Sequence, residues 1–180
     1  MKRIVIVMLL VCMMQHMYAQ ETSVEVGGAP MYSSKSIGEN LANSNDHTTL
    51  MAAIKASGLV NTLRSGSYTL FAPTNAAFNK LPKGTIEKWL KPENRATLVK
   101  LLTYHMVPGK LDINAIVAQI RTGGGTAMLN TVSGSVLKAS MEGDKIVLTD
   151  EKGNRSMINI RNVYQSNGMI QVVDTVLQPS

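Results

Sequence analysis

The residues of this sequence best suited to chemistry are two histidines, His47 and His105. A zinc site requires three or four nitrogen, sulfur or carboxylate ligands at suitable spacing, and no such spacing surrounds either histidine. His105 instead falls on an apolar helical face shortly before Pro108. The pattern therefore predicts a hydrogen-bonded core histidine, and it predicts neither a metal site nor a cofactor.

Acidic residues and serines in the C-terminal half are the remaining candidates for catalysis. The acidic residues are Glu142, Asp144, Asp150 and Glu151. All four fall in predicted turns, whereas a glycoside hydrolase needs two positioned carboxylates. The Ser-Gly-Ser segment 133–135 lacks the Gly-x-Ser-x-Gly pattern of a nucleophile elbow. The sequence therefore predicts a protein that is not an enzyme.

The N-terminus, residues 1–19, has the layout of a secretory signal peptide. A positively charged start and an apolar run precede Ala19, and the run is too short to span a bilayer as a stable helix. A rival interpretation makes Cys12 a lipid-anchored N-terminus, but Val11 stands where a small residue is expected. We expect a secreted protein, periplasmic or extracellular, that begins at Gln20.

The composition of the rest of the chain is that of a single exported domain. Removal of residues 1–19 leaves 161 of the 180 residues and no cysteine, so disulfide bonds and thiol catalysis are excluded. The basic residues are scattered singly, without interleaved aromatics, which argues against a nucleic-acid partner. No later apolar run is long enough for a transmembrane helix.

Helical periodicity dominates residues 37–121, interrupted by one strand at 68–72. One helical face carries Leu98, Leu101, Leu102 and His105. Their spacing of i, i+3, i+4 and i+7 predicts a helix that buries this face. Asp46 and Asp112 are predicted to cap the helices that begin near them.

Residues 126–178 are predicted to form strands separated by turns. Short alternating runs are punctuated by turn residues at 133–134, 142–143 and 167–168. Strands spaced this closely argue for antiparallel pairing, and with the helical half they predict an α+β fold. The small, polar segment 20–36 is predicted to be an N-terminal arm or linker.

Three segments carry recognisable patterns, in the order 68–78 (YTLFAPTNAAF), 101–109 (LLTYHMVPG) and 167–177 (NGMIQVVDTVL). They resemble the first homology box, the central Tyr-His segment and the second homology box of fasciclin domains. Residues 31–178 look like a secreted bacterial-type, single-domain member of that family. The resemblance implies a wedge-like antiparallel β-sandwich with several helices packed around it, and we assign residues 37–180 to this domain.

The resemblance also points to candidate partner-binding residues. Tyr104 and His105 match the Tyr-His element that animal matrix members associate with integrin contact. The family's other adhesion element, an Asp-Ile pair before the second homology box, reads Asn162-Val163 here and lacks the carboxylate. For Tyr104 and His105 two roles stay open, contact with a partner or packing in the core.

The function that the resemblance implies is non-catalytic, extracytoplasmic binding or cell adhesion. Its partner is expected to be a cell-surface or matrix macromolecule, either protein or polysaccharide. The alternatives are a periplasmic carrier that holds a small apolar ligand between sheet and helices and, third, an envelope enzyme. A pocket with convergent polar groups favours the carrier, whereas a filled core with an exposed apolar patch favours adhesion.

Overall fold

The computed structural model of the protein describes residues 21–180, and the predicted signal peptide lies outside them. The strands are β1 (Ser23–Val26), β2 (Ala29–Tyr32), β3 (Tyr68–Pro73), β4 (Met106–Pro108), β5 (Thr126–Asn130), β6 (Val136–Glu142), β7 (Lys145–Thr149), β8 (Arg155–Gln165) and β9 (Gly168–Val173). The helices are α1 (Ile37–Asn43), α2 (Thr48–Ser57), α3 (Val60–Ser65), α4 (Asn75–Asn79), α5 (Thr85–Trp89), α6 (Arg95–Tyr104) and α7 (Ile113–Thr122). None of these helices, within residues 21–180, is long and apolar enough to cross a membrane.

Seven of the strands form one sheet in the order β4-β3-β9-β8-β7-β6-β5. The two ends of this sheet approach each other, because the Val132 amide donates a hydrogen bond to the Met106 carbonyl at 2.8 Å. The sheet is therefore nearly closed, with helices packed around it. This arrangement confirms the predicted α+β class.

One strand pairing departs from the antiparallel arrangement that the sequence predicts. β3 and β9 run parallel, in register from Tyr68 opposite Gly168 to Pro73 opposite Val173. The other ladders of this sheet are antiparallel. Alternating polarity indicates which face of a strand is buried, but it does not give the direction of the neighbouring strand.

The sheet carries a cluster of buried side chains on each face. Leu70 and Ile170 belong to the cluster under α1–α6, whereas Phe71 and Val173 belong to the cluster covered by α7. Since neighbouring residues of a strand point to opposite faces, β3 and β9 contribute to both clusters. β3 and β9 therefore connect the two clusters through the sheet.

The segment 20–36, which the sequence predicts to be an arm or linker, contains a β-hairpin. β1 and β2 pair through Val26 opposite Ala29, around a turn at Gly27 and Gly28. Val26 and Met31 are each 1% exposed and pack in the cluster under α1–α6. Four-residue strands are too short to give a clear alternation, so their burial was not apparent from the sequence.

The predicted helix caps are partly correct. Asp112 caps α7, since its Oδ1 accepts from the Ala115 amide at 2.7 Å. Asp46, by contrast, lies in a 3₁₀ turn (Asn45–His47) ahead of α2 and does not cap it. The Thr49 amide, which has no partner within α2, donates to Asn75 Oδ1 at 3.0 Å. The cap of α2 therefore comes from α4.

Gly168 directly follows the two-residue turn between β8 and β9. Glycine is required at this position, but not for the reason that the Asn-Gly sequence suggests. The sequence predicts positive φ angles in this turn, and neither Asn167 nor Gly168 has one. A Cβ atom at Gly168 would instead lie inside van der Waals contact of the Tyr68 carbonyl oxygen and 2.8 Å from Ile37 Cδ1. Glycine is needed here because β3 passes so close.

Candidate functional site

Tyr104 and His105, the candidate partner-binding residues, lie at the C-terminal end of α6. Leu98, Leu101 and Leu102 are buried on one face of this helix, as predicted. Tyr104 is 0% exposed and His105 is 1% exposed. Neither side chain reaches the surface, so in this conformation neither can touch a partner directly.

The His105 ring joins α6 to the C-terminal end of the chain. Its Nδ1 lies 2.9 Å from the Leu101 carbonyl, and its Nε2 lies 3.1 Å from the Leu177 amide nitrogen. Since the Leu177 amide is a donor, Nε2 accepts and the proton sits on Nδ1. The His105 backbone also takes part, because its carbonyl accepts from the Phe71 amide at 2.9 Å. His105 thus connects helix α6, strand β3 and the C-terminal segment around Leu177.

This environment keeps the imidazole neutral. Burial lowers the pKa of His105 from its ordinary value of 6.5 to about 4, although the Leu101 carbonyl and the Asp150 charge oppose the shift. Protonation of Nε2 would also break the hydrogen bond from Leu177. A histidine of this kind is a structural acceptor at neutral pH and is poorly suited to general base catalysis.

Tyr104 plays a similar structural role on the other side of α6. Its hydroxyl donates to the Val136 carbonyl at 3.0 Å, and burial raises its pKa to about 12. Its ring meets the His105 ring edge-on, with centroids 6.5 Å apart and planes at 87°. The pair therefore connects α6 to β6 as well as to the C-terminal segment.

The second adhesion element of the resemblance, Asn162-Val163, is also structural here. Val163 is fully buried. Asn162 has φ 55°, and its Oδ1 accepts from the Ile113 amide at 2.8 Å. The backbone amide of Asn162 donates to Gln171 Oε1 at 2.9 Å. Asn162 thus supports the start of α7 and the bulged region between β8 and β9.

The carboxylates considered for catalysis are engaged in turns and strand ends. Asp150 accepts from three backbone amides, those of Lys152, Asn154 and Gln178. Glu151 accepts from the Ser180 amide at 2.9 Å, and Glu142 pairs with Arg155. These contacts give Asp150 and Glu151 structural roles, whereas Glu142 forms an exposed ion pair of the kind that contributes little to stability.

His47 is buried in a separate set of contacts. Its Nδ1 lies 2.8 Å from Ser44 Oγ, and burial lowers its pKa, opposed by Asp46 and the Ala72 carbonyl. Its Nε2 is buried without a hydrogen bond of good geometry. Within residues 21–180, no three His, Cys, Asp or Glu side chains are grouped as a metal site would require.

The sequence profile of the fasciclin domain matches residues 45–179. The protein belongs to the fasciclin family. Protein sll1483 of Synechocystis sp. is 39% identical over 167 residues, which is 92% of this chain and 86% of that protein. Immunogenic protein MPB70 of Mycobacterium bovis is 36% identical over 143 residues, covering 77% of this chain and 66% of that protein.

The fold of this fasciclin domain is also found in a solved structure. A FAS1 domain pair from the insect cell adhesion molecule fasciclin I superposes with a TM-score of 0.72 at 14% sequence identity. The match covers 88% of this chain and 58% of that chain, so our protein spans a little more than half of the insect pair. The resemblance seen in the three sequence segments is thereby confirmed.

Because the Tyr-His pair is buried in this fasciclin domain, removing its hydrogen bonds should destabilise the fold. Replacing Tyr104 with phenylalanine should lower the free energy of unfolding by about 1–2 kcal/mol, because the partly buried Val136 carbonyl loses the hydrogen bond from the tyrosine hydroxyl. Urea denaturation measures the change. Tyr164→Phe is the matched control, since Tyr164 is 50% exposed, and its effect should stay within about 0.5 kcal/mol. Equal effects of the two substitutions would contradict the burial of Tyr104.

The surface of this fasciclin domain has a cleft that the sequence did not reveal. The Trp89 cleft, with a volume of about 320 Å³, lies between α5, α6 and the C-terminal residues. Its lining includes Trp89, Thr97, Lys100, Lys152, Gln178 and Ser180. These residues come from three distant parts of the chain, so no local motif could have indicated the cleft.

Proposed function

We propose that this fasciclin-domain protein is an exported binding module that adheres to a macromolecule of the cell envelope or its surroundings. Binding uses the exposed surface and leaves the partner chemically unchanged. The observation that carries the proposal is the fasciclin domain itself, whose sequence profile matches residues 45–179. The insect domain pair that shares this fold belongs to a cell adhesion molecule.

The contacts of the potential catalytic groups support binding without chemistry. The His105 ring nitrogens are both engaged by backbone groups, and Asp150 accepts from backbone amides. General acid–base catalysis requires a group within hydrogen-bond reach of a substrate. Groups that already hold the fold together and are buried do not meet this requirement.

Export is the second part of the proposal and rests on the N-terminal sequence. We expect cleavage between Ala19 and Gln20, since Ala19 follows a charged start and a short apolar run. Intact-mass analysis of the protein released from its native cell should give the mass of a chain beginning at Gln20. A diacylglyceryl mass on Cys12 would contradict this expectation and establish a lipid anchor.

The main competitor, a carrier for a small apolar ligand, needs space between the sheet and the helices. Buried side chains occupy that space on both faces of the sheet, among them Leu70, Phe71, Leu98 and Ile116. Apolar ligand sites are concave and enclose most of the ligand. The filled interior therefore favours binding by the exterior surface.

The test of the proposed function is retention of envelope material by the exported protein. The protein is immobilised, and polysaccharide and protein fractions of the envelope are passed over it at low and moderate salt. We expect saturable retention of at least one macromolecular fraction, and loss of retention after the immobilised protein is thermally unfolded. Retention of no macromolecule, together with capture of a lipid-like small molecule, would overturn the proposal in favour of the carrier.

A further inference from the structure

The basic residues of the described chain occur singly, but they are more frequent between residues 80 and 100 than elsewhere in residues 21–180. Residues 80–100 contain six basic and two acidic residues, whereas the rest of residues 21–180 contains ten of each. The whole net positive charge of the described part therefore arises from this segment. Such a local excess creates a positive potential that attracts anionic ligands.

The Trp89 cleft opens beside this basic segment. Trp89 ends α5 and is only partly buried. The exposed Lys88 and Lys91 flank it in sequence, so one aromatic does lie among basic residues here, contrary to the sequence-based expectation. Lys100, on α6, and Lys152, in the loop after β7, contribute the charged groups of the cleft wall. An aromatic ring and two ammonium groups thus face one open space.

Neither lysine of the cleft forms an ion pair with an Asp or Glu side chain within residues 21–180. Lys100 Nζ donates to the Ser180 carbonyl at 2.8 Å, and Lys152 Nζ donates to Gln178 Oε1 at 3.3 Å. The ion pairs within residues 21–180 are Lys80–Asp174 and Arg155–Glu142, and neither involves a lysine of the cleft. Each ammonium group has three donors, so each can still bind an anion.

We propose that the Trp89 cleft binds an acidic polysaccharide, and this inference rests on the proposed function because it names the partner class of that binding module. The C–H groups on one face of a pyranose ring pack against the indole of Trp89. The carboxylates of uronic acid units bind Lys100 and Lys152, and the sugar hydroxyls bind Thr97 and Gln178.

A polymer fits this surface better than a single sugar acid. Three more exposed lysines, Lys83, Lys88 and Lys91, belong to the same segment as Trp89 and add to its positive charge. A chain of uronic acid units can occupy the cleft with one unit and follow this charge with its neighbours. An acidic polypeptide shares the charge but has no rigid ring face of C–H groups to pack on Trp89.

The experiment measures binding of the exported protein to immobilised polygalacturonate by biolayer interferometry at about 20 mM and about 150 mM salt, because screening weakens contacts between exposed charges. We expect binding at low salt that weakens at higher salt and is lost on fully methyl-esterified polygalacturonate. The Lys100→Gln/Lys152→Gln variant should bind about tenfold more weakly, since two partly solvated charge contacts are removed.

The matched control is Lys138→Gln/Lys145→Gln, which removes the same charge from exposed positions on β6 and β7. This control should bind within about twofold of the parent. Trp89→Ala should also weaken binding about tenfold, the loss expected when one stacked aromatic contact is removed. Should Trp89→Ala fail to fold, the exposed lysine variants still decide the outcome.

Three outcomes would overturn the inference. These are no binding of polygalacturonate by the parent, equal binding by the two double-lysine variants, and tighter binding of poly-glutamate or of anionic phospholipid vesicles than of polygalacturonate. If polygalacturonate does not bind but the immobilised protein still retains envelope material, the proposed function stands and only the acidic polysaccharide is excluded as the partner. Failure of both experiments removes both.

Discussion

Replacing Gly168 with alanine is expected to lower the free energy of unfolding by about 4 kcal/mol or to prevent folding, since overpacking against a rigid neighbour is among the costliest substitutions. The added Cβ would collide with the Tyr68 carbonyl oxygen, which belongs to the backbone of β3 and cannot rotate away. Relief would require separating β3 from β9, each of which contributes side chains to both core clusters. Urea denaturation monitored by circular dichroism measures the change.

The effect at Gly168 should far exceed the ordinary cost of removing a glycine. Gly143→Ala is the matched control, because Gly143 has φ 60° and open space where a Cβ would lie. Its left-handed conformation should cost about 1 kcal/mol. A loss for Gly168→Ala no larger than that for Gly143→Ala would show that β3 and β9 do not pack as closely as described.

Replacing His105 with alanine is expected to lower the free energy of unfolding by about 3 kcal/mol at pH 7. The substitution leaves the buried Leu177 amide without its acceptor and opens a cavity between α6 and the C-terminal segment. Such a loss is a large part of the stability of a small domain. A denaturation midpoint unchanged from that of the parent would contradict the burial of His105.

The cost of His105→Ala should itself depend on pH. Burial lowers the pKa of His105 from 6.5 to about 4, so the folded protein holds this imidazole neutral where the unfolded chain takes up a proton. The stability from the neutral ring is therefore complete above about pH 6.5 and declines as pH falls towards about 4, by up to about 3 kcal/mol.

The measurement is the difference in unfolding free energy between the parent and His105→Ala at several pH values. This difference should shrink between about pH 6.5 and about pH 4. The buried His47 titrates in both proteins, so its contribution cancels in the difference. A difference that stays constant over this range would mean that His105 titrates with the same pKa in the folded and unfolded states.

Local features of the fold could be predicted from the sequence. The leucine spacing before His105 gave the buried face of α6, and Asp112 was identified as the cap of α7. Both depend on residues within one or two turns of each other, where periodicity and capping chemistry act. Glycines and polar turn residues likewise separated the strands from residue 126 onward.

Features that depend on distant residues could not be predicted in this way. Leu177, which donates to His105, lies 72 positions further along the chain. The parallel pairing of β3 with β9 likewise places Tyr68 opposite Gly168, far along the chain. The Trp89 cleft likewise combines side chains whose proximity depends on the closed sheet. For these features the complete tertiary structure was required.

The role of Tyr104 and His105 depends on tertiary contacts that the sequence motif does not specify. The sequence left open whether the pair contacts a partner or packs in the core. Each side chain has an aromatic ring that carries polar atoms, which suits either role. Burial of both rings and their bonds to backbone groups give the pair a positioning role in this chain. Any adhesive surface is then expected elsewhere on the domain.

The central claim, binding to a macromolecule without chemistry, is tested most directly by following the mass of the partner. Envelope polysaccharide retained by the immobilised protein is incubated with the soluble exported protein and analysed by size-exclusion chromatography with light scattering. We predict that the protein co-elutes with the polymer and that the polymer keeps its mass distribution through prolonged incubation. Progressive shortening of the polymer, or no co-elution at any protein concentration, would contradict the claim.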